Sequence, residues 1–235
     1  LFVTDDYGAT WKPIVSNLPA FGSTRVLRED IVNTSVLYCG TEFGIWVSVN
    51  RGAAWANLNN NLPTVAVHEV AQPTTASEIV VATHGRSIFL LDGIQMFEEW
   101  NPRVLSDSVS FFSPRTAWAF YERPWAGNDG QAYFSAKNPP QGAWLDYFCP
   151  RELEGGVSIA IRDSSGREVR TLTGDGAAGF HRVVWDLVAG DPKTRISRPE
   201  WGSQPQYVRP GRYTVKLTTG KARPIERTLE VRANP

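Results

Sequence analysis

Excess charge of either sign is missing from this sequence. Its 24 lysines and arginines balance 24 aspartates and glutamates. A neutral chain offers no basic field to gather nucleic acid or an anionic membrane surface, so neither is expected as a partner. Long hydrophobic runs are missing too. The longest, Ile79 to Ala82 and Ile88 to Leu91, have only strand length, which argues against direct membrane insertion. Cysteine is scarce. Cys39 and Cys149 fall in different modules, and we expect buried thiols rather than a disulfide. No CxxC pair, HExxH, GxSxG, P-loop or GxGxxG is present, so no metal and no cofactor is expected. The chain also lacks an initiating methionine and a visible signal peptide. It opens at Leu1 inside strand-like sequence, and we expect a piece of a longer protein whose targeting signal lies elsewhere.

What is present is aromatic and turn-rich: 9 tryptophans and 16 prolines in 235 residues. This composition suits a β protein. One motif occurs twice. Thr4, Asp6, Gly8 and Trp11 form the pattern S/T-x-D-x-G-x-x-W, and Ser48, Asn50, Gly52 and Trp55 repeat it 44 residues later with Asn for Asp. The match extends outward, since Val3, Asn17, Leu18 and Pro19 recur as Val47, Asn61, Leu62 and Pro63. Short strands at a period of roughly 40–50 residues are the sign of propeller blades.

The first region, to about Asp92, reads as short strands: 25–28, 35–40, 44–49, 66–71, 78–83 and 87–91. A third partial copy starts at Thr83, but no Gly-x-x-Trp follows Asp92, so the array ends there. Residues 93–101 fit a short amphipathic helix stopped by Pro102. Two stretches, 108–112 and 116–121, look like strands, and one of them is expected to return and complete the last blade. The expected division is therefore a partial β-propeller with its closing segment over 1–121, a linker over 122–142 rich in Gly, Pro and Asn, and a second β module over 143–235. That module has six candidate strands and a hairpin turn at Asp163-Ser164-Ser165-Gly166, the rhythm of an antiparallel sandwich. The fold class is all-β.

The paired motif is identified as the Asp-box. With Leu37 to Trp46 and Val81 to Ser87, it resembles the BNR-repeat, sortilin-like propellers of bacterial proteins often labelled glycosyl hydrolases. The stretches 157–169, 179–186 and 210–213 resemble a FlgD-like Ig module. The resemblance implies secretion, a periplasmic or a cell-surface location, a protein or glycan ligand, and upstream blades of the same protein as neighbours. It does not imply catalysis, because the Asp-box is shared by sialidases, other glycosidases, receptors and assembly factors. Three functions stay open: a non-catalytic binding or scaffolding part, a glycoside hydrolase completed by blades outside this chain, and an accessory subunit of a membrane-bound complex.

The chemistry of the motif is architectural. Gly8 and Gly52 permit a left-handed turn. Asp6 and Asn50 can accept backbone N–H bonds, with Thr4 and Ser48 adding hydroxyls. Trp11 and Trp55 are expected to bury large rings between sheets. In such a propeller the box lies between the third and fourth strands. The loops joining the second and third strands, 40–44 and 83–87, then lie at the opposite end. They hold Glu42, His84 and Arg86, our candidate ligand-binding residues. Arg86 can fork onto a carboxylate or sulfate. Glu42 and His84 are the candidate proton-transfer pair. A bland alternative has Arg86 and Glu42 as an inter-blade ion pair and His84 as a turn cap. His68 and Glu69 begin an inner strand, and by alternation one of them points into the channel.

Overall fold

The computed structural model describes residues 1–119, 140–190, 207–220 and 222–233. Among them the chain is all-β, with only two helices of four residues each. It divides into two compact units, Leu1–Pro102 and Arg103–Pro235.

The first unit holds three antiparallel sheets. A hairpin pairs β1 (Phe2–Val3) with β2 (Lys12–Pro13). The middle sheet has the order β3 (Thr24–Glu29), β4 (Leu37–Thr41), β5 (Gly44–Ser48), β6 (Ala56–Asn57). The third sheet has β7 (Val67–Ala71), β8 (Glu78–Thr83) and β9 (Ile88–Asp92). Alternation along a strand explains how they stack. On β4, Leu37 and Cys39 join Ile14 and Trp55 in a cluster with the hairpin, while Tyr38 joins Val67, Val70, Ile79 and Val81 of the third sheet. On β5, Trp46 faces the first cluster, and Ile45 and Val47 face the second. The middle sheet is thus covered on both faces, and every residue of β4 is buried. Gly40 marks the closest approach. A Cβ there would meet the Val67 side chain at 2.7 Å and its carbonyl at 2.8 Å.

After β9 the chain turns at Gly93 into α1 (Gln95–Glu98), inside the helix expected over 93–101. Phe97 is buried edge-on to Tyr38, with ring centroids 6.4 Å apart.

The second unit opens with α2 (Arg103–Ser106) and has two sheets. One has the order β10 (Ser110–Phe111), β12 (Ala143–Cys149), β15 (Gly179–Trp185). The other runs β11 (Ala117–Ala119), β17 (Ile225–Ala233), β16 (Gly211–Thr218), β13 (Val157–Arg162), β14 (Glu168–Gly174), with only the β11–β17 pair parallel. Both sheets feed one core that includes Leu145, Ile159, Trp185, Val215 and Leu229. Cys149 lies in this core and Cys39 in the first unit. Both thiols are free and buried, and burial pushes the Cys39 thiol up to about 11.

One expectation is corrected. Among the described residues, neither 108–112 nor 116–119 completes the last sheet of the first unit, and 120–121 of the second stretch lie outside them. β10 pairs with β12, and β11 pairs with β17. The boundary therefore falls after Pro102, not after residue 121. The physical reason is burial: Val109, Phe111 and Ala117 are apolar and sit in the second core. Of the linker expected over 122–142, residues 122–139 lie outside the described residues.

Candidate functional site

The two turns of the repeated S/T-x-D/N-x-G-x-x-W motif fix which end of the sheets is which. In the first, Thr4 Oγ1 donates to Asp6 Oδ1 at 2.8 Å, and the Gly8 and Thr10 N–H groups donate to Thr4 Oγ1 and Asp6 Oδ1, each at 2.8 Å. In the second, Ser48 Oγ donates to Asn50 Oδ1 at 2.9 Å, and Gly52 and Ala54 N–H donate to Ser48 Oγ and Asn50 Oδ1, each at 2.8 Å. Gly8 and Gly52 have φ of 93° and 84°. One side-chain oxygen does the shared work, so Asn50 keeps the bonds the two turns have in common. The second oxygen of Asp6 accepts the Thr10 hydroxyl at 2.6 Å, and the matching residue of the other turn, Ala54, has no hydroxyl. These bonds, that of the Thr10 hydroxyl first, hold the Asp6 carboxyl below the usual carboxylate range.

The tryptophans differ. Trp55 is buried against the hairpin and donates its Nε1–H to the Ile14 carbonyl at 2.9 Å. Trp11 was expected to be buried as well, and it is 60% exposed, with its indole N–H turned onto Gly8 O at 3.1 Å. No preceding sheet is present among the described residues to cover it.

The candidate ligand loops occupy the other end. The β4–β5 turn carries Glu42, the β8–β9 turn carries His84 and Arg86, and the starts of β3 and β7 carry Arg25 and His68. Both turns are built by threonine hydroxyls. Thr41 Oγ1 donates to Gly44 O at 3.1 Å, and Thr83 Oγ1 to Ser87 O at 2.6 Å. Gly44 has φ of 132°, and a Cβ there would strike the Asn59 amide at 1.9 Å. That amide holds the turn, accepting from Ile45 N–H at 2.9 Å and donating to Phe43 O at 3.0 Å.

The expected pairings change. Glu42 forms its ion pair with Arg25 of its own sheet, not with Arg86. His84 stacks on His68, with ring centroids 5.2 Å apart and planes at 27°. Glu69 pairs with Arg28 at 2.6 Å. A bulge between Val67 and Glu69 breaks strict alternation there, and both His68 and Glu69 are exposed. Arg86 is exposed and has no ion-pair partner among the described residues. Glu42 and His84 thus each face another partner, and the proton-transfer pair is not assembled. The end instead presents two stacked imidazoles and an unpaired guanidinium, a surface suited to an anionic or hydrogen-bonding ligand.

Two further features escaped sequence reading. At the end of the sheets that carries the repeated motif, Asp30 is buried and accepts from Tyr38 Oη at 3.1 Å, Gln72 Nε2 at 3.0 Å, and the Val32 and Asn33 N–H groups at 2.9 and 2.8 Å. Gln72 also reaches Glu98 Oε1 at 3.5 Å. Burial, more than the nearby Asp30 charge, raises the Glu98 carboxyl above its ordinary value. Burial and then Asp30 push the Tyr38 hydroxyl up. The only hint was the D-x-x-N spacing of Asp30 and Asn33 after a strand, an Asx-turn signal. In the second unit, a cleft of about 620 Å³ is lined by Arg167, Arg209, Arg212 and Tyr213, among others. Asp163 at its wall pairs with Arg167 at 3.2 Å. Arg167 and the Arg209–Arg212 segment lie more than forty residues apart in the sequence, so their meeting in one cleft was not legible there.

Among the described residues no three His, Cys, Asp or Glu side chains gather as metal ligands would, and no helix is long and apolar enough to cross a membrane. Comparison with protein-family models, curated proteins and solved structures gives no match to this chain.

Proposed function

We propose that this chain is a non-catalytic binding or scaffolding part of a sortilin-like, Asp-box propeller protein of the bacterial envelope or exterior, followed by a FlgD-like Ig module. The observation that carries the reading is the occupation of both Asp-boxes by their own turns. Asp6 and Asn50 spend the same oxygen on backbone N–H groups, so the motif is a folding device and not a reacting group. Glu42 adds to this, because its carboxylate is engaged by Arg25 of its own sheet.

The blade reading is supported by the stacking of like on like. At the front of the middle sheet Ile45 and Val47 are 3% and 4% exposed beneath the third sheet. Their counterparts on the third sheet, Ile88 and Leu90, are 68% and 57% exposed. An apolar face of that kind suits a further sheet of the same protein. The Ig reading is supported by Tyr213, whose hydroxyl donates to the Arg209 carbonyl at 2.6 Å, four residues upstream, in the manner of a tyrosine corner. Buried Trp185 packs edge-on to the same ring, with centroids 5.5 Å apart.

The ligand, a protein or a glycan, is proposed to meet His68, His84 and Arg86. A glycan array combined with a hydrolysis screen tests this, using wild type, Arg86→Ala and Glu42→Gln. Binding without turnover, weakened in Arg86→Ala, is expected. Glycan hydrolysis lost in Glu42→Gln would replace this reading with a glycosidase.

A further inference from the structure

We infer that the open edge of β9 is a binding site for an extended peptide strand bearing a tryptophan. The template lies inside the chain. On the middle sheet β6 runs along β5, with Trp46 opposite Asn57 and Val47 opposite Ala56. Trp55, just before β6, lays its ring on the hairpin and donates its indole N–H to the Ile14 carbonyl. Asn17 grips the Trp55 backbone from both sides. It accepts from Trp55 N–H at 2.8 Å and donates to Trp55 O at 2.7 Å.

The third sheet repeats the receiving half of this arrangement. At the 44-residue offset, Ile14 becomes Leu58 and Asn17 becomes Asn61. The equivalence is also structural. Ile14 N–H donates to Leu1 O at 3.1 Å, and Leu58 N–H donates to Ile45 O at 2.9 Å. Leu18 N–H closes onto Val15 O, as Leu62 N–H closes onto Asn59 O. β9 stands where β5 stands, since Phe89 lies opposite Val81 as Trp46 lies opposite Cys39.

No strand among the described residues runs along the outer side of β9. β9 pairs only with β8 among the described strands. Asn61 is exposed and has no hydrogen-bond partner among the described residues. A cavity of about 90 Å³ opens beside it, lined by Leu58, Asn61, Leu62, Phe89 and Leu91 among others. Leu90, more than half exposed, forms part of its wall. The residues directly after β9 do not fill the place, because Gly93 turns the chain into α1 where the middle sheet continues to its turn and β6.

The ligand chemistry follows from the template. A strand hydrogen-bonds along β9, a strand-addition mode of recognition. A tryptophan just before it covers Leu58 and offers its indole N–H to the Leu58 carbonyl, and Asn61 holds that residue's main chain. The socket is formed by the end of the middle sheet at Leu58 and Asn61 and by β9 of the third.

The test titrates a synthetic peptide spanning the chain's own residues 48–58 into the full chain, followed by calorimetry and amide NMR. Saturable binding with shifts at β9 and Asn61 is expected. Replacing the peptide tryptophan with alanine should weaken it about thirtyfold or more, as for a buried anchor. Asn61→Ala in the protein should weaken it about tenfold, and that exposed site leaves the fold intact. No saturable binding at about 1 mM peptide, equal affinity for both variants, or shifts at β2 and β6 in place of β9 would overturn the inference.

Discussion

Trp11 is 60% exposed and Trp55 is 4% exposed, although the turns that hold them share the same bonds from backbone N–H to side-chain oxygen. The comparison separates two jobs that the motif joins. Turn shape is local: hydroxyl, carboxamide or carboxylate, and glycine build it with no help from neighbours. The stabilisation from the ring is not local, and needs the Ile14 strand of an adjoining sheet. Glycine shows the same division. A Cβ on Gly52 would meet Ile14 at 2.7 Å, whereas one on Gly8 would meet only Trp11, at 3.8 Å.

The largest expected effect follows from this contrast. Trp55→Ala should destabilise the first unit by about 3–5 kcal/mol, as large-to-small core changes do. Trp11→Ala should cost under about 1 kcal/mol. Urea unfolding followed by near-UV circular dichroism reads both, and equal losses would break the comparison.

Next is the pair of asparagines beside the rings. Asn17→Ala leaves two backbone groups of Trp55 without their partner and should cost about 1–3 kcal/mol. Asn61→Ala removes nothing bonded and should fall within about 0.5 kcal/mol. The same unfolding curves decide it.

Smaller still is the response to acid. The folded state holds the Asp6 carboxyl below its unfolded value, so its contribution is present above about pH 4 and is lost as pH falls through the lowered value. Asn50 does not titrate. An NMR acid titration should move the Thr10 amide and leave the Ala54 amide still, and parallel movement would contradict the assigned bonds. Glu98 has the opposite sign. Its carboxyl is raised mainly by burial, so the protonated form favours folding and stability declines as pH rises through the raised value. Glu98→Gln should flatten that decline, with melting temperatures at pH 5 and pH 8 as the measurement.

Local chemistry was readable in the sequence, and distant pairing was not. The two Gly8 and Gly52 turns, most strand positions and the helix after Gly93 follow from nearby residues. The pairing of β11 with β17 follows from nothing local, because Ala117 meets Val231 across more than a hundred residues. A short strand such as Ala-Trp-Ala carries no mark of which sheet will take it. The site was half legible for the same reason. Topology placed Glu42, His84, Arg86 and His68 at one end, but the choice of Arg25 for Glu42 and of His68 for His84 depends on cross-strand register and on the bulge after Val67.

Hydrogen exchange at the two indole N–H groups tests most directly whether the tryptophan works only under a neighbouring sheet. Trp55 Nε1–H, buried on the Ile14 carbonyl, should exchange only through opening of the first unit, orders of magnitude slower than Trp11 Nε1–H. Similar exchange rates at the two rings would contradict it.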